Sequence, residues 1–363
     1  MTRQRSQYTS RAWVEVDLGA LQRNGQAIAA RAGVPLLPMV KADGYGLGAA
    51  AAVRALEPLA PWGYGVATIE EGRALRDAGV ERPIVVFTPL LADDHAAARV
   101  ASLVPALGDR ESIERWQADG GGAWHLAIDT GMTRSGVRWS DVGALDALLR
   151  AHPPEGAFTH FHSAERNDGS MAAQEGRFRT ALASLPARPR LVHAENSAAV
   201  ARRAPSPWDL VRPGVFLYGV GSGPGAAIAP DPVAHVRARV VAVHDIADGE
   251  TVSYEAAYRA VGPRRIATLA IGYADGYRRA LSNRGSALLG GRRVPVAGVV
   301  TMDMTMLDVT GVMCAPGDVA TLVGRDAADE LPIEEVARTG DLSPYELLTG
   351  LRQRLTRVYR EAS

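Results

Sequence analysis

Hydrophobic and polar positions alternate over Trp13-Val14-Glu15-Val16-Asp17, as in a strand with one face covered, and the period then becomes helical over 18–32. Beyond that helix the chain settles into short apolar runs at 36–40, 63–66, 84–87, 102–106, 124–128, 157–161, 190–193 and 215–218. The stretches between them read as helices, most clearly at 70–78, 110–118, 142–150 and 174–185. Unbroken apolar runs of this length suit a sheet covered on both faces. Eight β-then-α units predict an α/β fold, a closed parallel (β/α)8 barrel of the TIM type with its chemistry at the strands' C-terminal ends. The Gly-, Pro- and Ala-rich stretch 219–232 then reads as a crossover. Strands are expected beyond it at 236–243, 265–271, 294–299, 304–309 and 319–323, with a closing helix at 343–359. The expected division is a barrel over 12–232 and a mainly-β C-terminal domain over 233–363.

Composition narrows the class. The chain has 363 residues, 47% of them hydrophobic and 22% charged, which is enough apolar material for two cores. Forty basic residues balance forty acidic ones, so the charge gives no reason to expect a nucleic-acid partner. A single cysteine, Cys314, excludes an internal disulfide and suits a reducing compartment. Residues 1–10 lack the apolar core of a secretory signal, and no apolar run is long enough to span a bilayer. A cytoplasmic protein without a membrane partner is therefore expected, and no metal-ligand pattern stands out.

The candidate chemistry lies where the barrel strands would end. The run 36–40 delivers Lys41, followed by Gly44, Gly46 and Gly48. A lysine there can form an imine with an aldehyde, and a glycine-rich loop before a helix suits an anion. Later strands end in Asp129-Thr130-Gly131-Met132-Thr133-Arg134, in His160-Phe161-His162-Ser163 and in His193-Ala194-Glu195-Asn196-Ser197. Arg212-Pro213-Gly214 is expected just before the eighth strand. Each of these has a plain structural reading too: Asn196 and Ser197 can cap a helix, Asp129 a turn, and His160 can be a packed core residue. Their regular recurrence on one face is what points to a site.

These residues carry a resemblance. VKADGYGLG at 40–48, DTGMTRSG at 129–136, THFHSAE at 159–165, HAENSA at 193–198, RPGVFLYG at 212–219, IGYADGY at 271–277, MDM at 302–304 and SPYELLTGLRQRLTRVY at 343–359 resemble the pyridoxal-phosphate-dependent alanine racemase family. The likeness runs from Trp13 to Tyr359 and implies a fold-type III enzyme, in which the N-terminal strand, within 1–17 here, joins the β domain. It implies interconversion of L- and D-alanine with pyridoxal 5'-phosphate as cofactor, supplying D-alanine for peptidoglycan, by a homodimer with shared sites. Lys41 matches the lysine that binds the cofactor and acts as one base; Tyr273 matches the second base, brought by the partner subunit, with His160 as its helper. Two bases are needed because a carbanion reprotonated from the side it left regenerates the same enantiomer.

The same likeness makes Arg212 the neighbour of the pyridine nitrogen, with His193 supporting it. Tyr45, Ser197, Gly214, Val215 and Tyr345 match the phosphate-binding set, and His160 and Asn196 stand with the cofactor contacts. Arg134 matches an arginine facing the substrate carboxylate, and Met302 a backbone contact to it, with Asp303 alongside; a core position is the plain reading of Met302. Three departures stand out. Ala127 replaces a lysine that the family carbamylates to orient the residue matched by Arg134, so a bound anion, a water or another carboxylate is expected to stand in. Glu165 replaces an aspartate, and Val299 a frequent arginine. Other readings are a racemase of broader range (serine, lysine or arginine), a fold-related decarboxylase whose cysteine acid would have to be Cys314, and a barrel acting only as a pyridoxal-phosphate carrier.

Overall fold

The computed structural model describes residues 10–326 and 329–361. Residues 1–9 of the expected N-terminal strand segment, and 327, 328, 362 and 363 of the expected β domain, lie outside the described residues. Parallel strands Tyr64–Val66, Ile84–Val86, Val104–Leu107, His125–Asp129, Gly156–Phe158, Leu191–Asn196 and Leu210–Arg212 follow one another in a single sheet. Segment 36–40 closes it: Leu36 bridges Val211 and Met39 bridges Gly65, both in parallel. The fold is thus a nearly closed (β/α)8-type barrel carrying helices, followed by a mainly-β domain. Its strands are short because every residue in them is taken up either by the barrel interior or by the helical layer, and each is almost wholly buried.

Two expected elements are corrected. Run 215–218 is a 3-10 helix, Val215–Tyr218, and the eighth strand is Leu210–Arg212, so Arg212 sits on the strand itself. Pro213 has no N–H for a ladder, and four buried apolar residues read alike as a strand or a helical turn. The closing helix over 343–359 is only Pro344–Thr349; Gly350 ends it, and Thr356–Arg360 is a strand. Alternating Thr356, Val358 and Arg360 favour that extended form.

The second sheet places the C-terminal residues. Long strand Ala234–Ile246 pairs antiparallel with Val319–Asp326 and Arg264–Leu269, and the latter with Thr305–Asp308. Ala12–Asp17 enters this sheet between Ala234–Ile246, antiparallel, and Thr356–Arg360, parallel. The N-terminal strand is therefore held from both sides before the helix Leu18–Ala32, capped by Asp17 Oδ1 on the Ala20 amide at 2.7 Å, leads into the barrel. Glu15 is the polar centre of the three-strand junction. It is buried, accepts from the Trp13 indole at 3.0 Å, and pairs with Arg237 at 3.3 Å and Arg360 at 2.5 Å. Removing one partner of a buried ion pair costs about 3 kcal/mol. Glu15→Ala is expected to lower the urea unfolding free energy by about that amount; a loss below about 0.5 kcal/mol would mean the cluster is merely a surface contact.

Candidate active site

Lys41 stands at the barrel's C-terminal mouth on an unusual turn. Ala42, Asp43, Gly44 and Tyr45 all have left-handed dihedrals, with φ of 52°, 51°, 61° and 54°. The turn is closed by the Gly44 amide on the Val40 carbonyl at 2.9 Å and the Gly46 amide on the Ala42 carbonyl at 2.8 Å. Glu71 Oε1 accepts from the Ala42 amide at 2.6 Å, while its other oxygen accepts from the Ala67 amide at 2.7 Å within the capping box of helix Ile69–Asp77. Asp43 Oδ1 caps the next helix through the Ala49 amide at 2.8 Å. From the far side Arg357 donates to the Gly46 carbonyl from Nε and Nη2, at 3.0 and 2.8 Å. Burial and the charge of Arg134 lower the Lys41 pKa, against an opposing pull from Glu71. The free amine is thereby more accessible near neutrality than on a solvated lysine.

The lysine faces a cavity of about 720 Å³. On one side the Tyr45 ring stacks on Tyr218, with centroids 4.7 Å apart, and its hydroxyl lies against Gly214, where a Cβ would meet it at 2.5 Å. Burial raises the Tyr45 pKa, and Tyr345 across the cavity is raised for the same reason, so both hydroxyls stay donors. Ser197 Oγ accepts from the Gly214 amide at 2.8 Å. Val215 starts the 3-10 helix beside it. Asn196 lines the cavity but its side chain caps helix Ser197–Arg202 through the Ala199 amide at 3.1 Å, the structural reading that its sequence position also allowed.

Arg212 forms the opposite wall. It is buried, makes no ion pair among the described residues, and donates to the carbonyls of His193 at 2.9 Å, Thr159 at 2.7 Å and Ala194 at 3.2 Å. It also donates to two imidazoles, His193 Nδ1 at 2.7 Å and His160 Nδ1 at 3.3 Å. Because a guanidinium only donates, both Nδ1 atoms must accept and both rings carry their proton on Nε2. His193 Nε2 then donates to His125 Nδ1 at 2.9 Å, making a file of neutral imidazoles behind the arginine. Burial, with the charge of Arg212 next, depresses His125 and His160 to about 3, and pushes His193 well down. Burial and Arg134 hold Arg212 itself down to about 9, still a cation at neutral pH.

Arg134 lines the cavity mouth and is exposed; among the described residues it makes no hydrogen bond and no ion pair. Of the stand-ins expected for the missing lysine (a bound anion, a water or another carboxylate), a protein carboxylate is thus not found among the described residues. Asp129, the nearest in sequence, spends Oδ1 on the amides of Gly131 and Thr133 at 3.0 and 2.9 Å. Ala127 is buried in the barrel wall beside Phe158. Tyr273, Met302 and Asp303 are not brought to this cavity. Tyr273 and Met302 are 40% and 53% exposed on the β domain, so Met302 is not a core residue, and Asp303 pairs with Arg354 at 2.8 Å. Cys314 is buried away from the cavity. Sequence reasoning missed Glu71, His125, Arg354 and Arg357. Only Glu71 had a readable signal, the Thr68-Ile69-Glu70-Glu71 capping box.

A lysine, a cradle of hydroxyls and an unpaired buried guanidinium around one cavity suit a ligand with an aldehyde, a phosphate and a ring nitrogen. Together with the barrel and β domain, they define the barrel class of pyridoxal-phosphate enzymes. Residues 16–222 match the N-terminal domain model of alanine racemase and residues 233–359 its C-terminal domain model. The alanine racemase of Symbiobacterium thermophilum is 38% identical over 364 residues, covering 96% of each chain. That of Deinococcus radiodurans is 38% identical over 96% of this chain and 98% of its own. The alanine racemase structure from E. faecalis superposes with a TM-score of 0.91 at 30% identity, over 98% of this chain and 99% of that one. The Bartonella henselae alanine racemase, which carries covalently bound pyridoxal phosphate, superposes with a TM-score of 0.89 at 29% identity, over 97% of this chain and all of that one. The chain belongs to the alanine racemase family.

The neutral histidines make stability pH-dependent. Their folded pKa lies below the unfolded value of 6.5, so their contribution is full above 6.5 and is lost as the pH falls toward about 3. At pH 5 each of His125 and His160 should cost about 2 kcal/mol relative to pH 7. Guanidinium unfolding at the two pH values should show a loss of that order; equal free energies would mean these rings take up protons in the folded chain as readily as in the unfolded one.

Proposed function

We propose that this chain is a pyridoxal-phosphate-dependent alanine racemase working as a homodimer. The observation that carries the reading is Lys41, held upright by the left-handed turn against a cavity whose far wall is Arg212. The donor set fits the cofactor. Lys41 would hold it covalently, and Tyr45, Ser197, Gly214, Val215 and Tyr345 would surround its phosphate, with Asn196 beside them. Arg212, supported by His193, would face the ring nitrogen. When bound, the cofactor supplies the electron sink that lets the Cα proton of alanine leave. Arg212, a donor that does not readily release its proton, would leave the ring nitrogen it faces unprotonated and so moderate the electron sink and restrain side reactions.

Lys41 Nζ takes or returns the Cα proton on one face. Tyr273 Oη of the second copy does so on the other; its exposure on the β domain, away from its own chain's cavity, is what supports a shared site. His160 is neutral and carries its proton on Nε2, so it can donate to the tyrosine oxygen and ease that hydroxyl's ionisation. Arg134 would bind the substrate carboxylate, with the Met302 backbone and Asp303 from the second copy closing the pocket. D-alanine made in the cytoplasm would feed peptidoglycan. A broader substrate range is the second reading, favoured by Ala127 in the cavity wall. The β domain carrying Tyr273 argues against a mere carrier.

Incubation of the loaded protein with L-alanine should abolish optical rotation, and a panel of enantiopure amino acids separates alanine from the broader reading. Lys41→Ala should remove borohydride-trapped cofactor. Tyr273→Phe should keep the trapped cofactor but slow racemisation by about 100-fold or more, with unequal effects on α-deuterium exchange from the two enantiomers. Equal, normal exchange would remove Tyr273 as a base. Mixed Lys41→Ala and Tyr273→Phe dimers should regain activity, and confirmed heterodimers without it would place each site within one chain.

Arg134, without a protein carboxylate, is proposed to be oriented by a small exchangeable anion next to Ala127. The KM for alanine should then rise when chloride is replaced by a bulky anion, and Ala127→Lys should make activity respond to bicarbonate. A KM indifferent to the buffer anion would refute the bound ion.

A further inference from the structure

We propose that Arg354 is the positioning residue that sets the place of the Tyr273 hydroxyl, by tying the tyrosine's turn to the loop that carries Met302. This rests on reading Tyr273 as a base. The Tyr273 side chain is half-exposed and its hydroxyl makes no hydrogen bond among the described residues, so its position follows from the backbone beneath it. That backbone is the 3-10 turn Tyr273–Asp275, docked on loop 301–303. The Tyr273 amide donates to the Thr301 carbonyl at 2.9 Å and the Ala274 amide to the Met302 carbonyl at 3.0 Å. Gly272 lies so close to both carbonyls that a Cβ would overlap them.

Asp275 holds the turn from inside. It is buried; its Oδ2 accepts from the Gly272 amide at 2.9 Å, and its carbonyl accepts from the Arg352 amide at 2.9 Å. Its only cation among the described residues is Arg354, with Nε 3.1 Å from Oδ1. The same guanidinium reaches Asp303 on the Met302 loop through Nη2 at 2.8 Å. One planar group thus joins the two segments that would close the second copy's cavity, and a lysine cannot span both carboxylates in this way. An exposed ion pair alone would add little, but here one carboxylate is buried and would be left without its charge partner.

The test compares Arg354→Gln with Tyr273→Phe in the loaded dimer. Arg354→Gln is expected to skew α-deuterium exchange between L- and D-alanine in the same sense as Tyr273→Phe, with borohydride trapping at Lys41 unchanged. In the cofactor-free protein, amides 273–277 and 301–304 should exchange faster by about tenfold or more, while amides 41–48 keep their protection. Arg354→Lys should give an intermediate skew. If Arg354→Gln does not fold, Asp303→Asn removes only the outer arm and should give the same sense of skew. Equal slowing of both enantiomers, or unchanged amide protection, overturns the proposal. If Tyr273→Phe itself shows no skew, the base reading fails, and the amide exchange still decides whether Arg354 holds the turn.

Discussion

The site depends on one backbone constraint: five successive left-handed residues after Lys41, Ala42 to Gly46. For a residue with a Cβ this conformation costs about 1–2 kcal/mol, and Ala42, Asp43 and Tyr45 all bear that strain. It persists because the surroundings over-determine it. Glu71 holds the first amide, Asp43 ties the exit to the next helix, and Arg357 grips the Gly46 carbonyl from the other domain. The reward is directional. This turn sets the Tyr45 ring on Tyr218 and its hydroxyl against Gly214, while Lys41 lines the cavity.

Charge follows from the same enclosure. Lys41, Arg134 and Arg212 converge on the cavity, and each lowers a neighbour's proton affinity. Buried His125 and His193 and half-buried His160 are kept neutral, so they serve as oriented hydrogen-bond partners rather than as further cations. The cavity thus keeps its cationic character, and the neutral imidazoles let Arg212 stay buried with no ion pair among the described residues.

Much of this was legible in the chain. Helices at Leu18–Ala32 and Arg110–Ala118 showed their full extent because their apolar period is long, and seven barrel strands appeared as short apolar runs. Run 215–218 misled because four apolar residues carry no period, and Pro213 decided it locally. The closing helix misled because Gly350 and the pairing of Thr356–Arg360 with the N-terminal strand, in which Trp13 meets Thr356, 343 residues further along the chain, outweigh the local pattern. Lys41 was visible as a strand-end residue, whereas Arg212 was picked out by its Arg-Pro-Gly run but expected before its strand rather than on it. Arg354 and Arg357 were not visible, since an arginine that binds distant carbonyls or carboxylates looks like any surface arginine in sequence. That Arg134 has no carboxylate partner among the described residues likewise needed coordinates, because spacing along the chain does not say which carboxylates face the cavity.

The C-terminal segment finally explains why the two domains form one catalytic unit. Tyr345 lines the cavity from helix Pro344–Thr349; just beyond it the chain lies between the lysine turn and the tyrosine turn. Gly46 packs against the Leu348 carbonyl and Gly276 against the Gly350 carbonyl, approaches that a side chain would forbid at either position. Arg354 then holds the tyrosine turn and Arg357 the lysine turn, three residues apart. In a dimer with shared sites these two turns serve different cavities. A shift of this segment would therefore move the Lys41 turn and the Tyr273 turn together, because Arg357 and Arg354 hold them from one short stretch of chain.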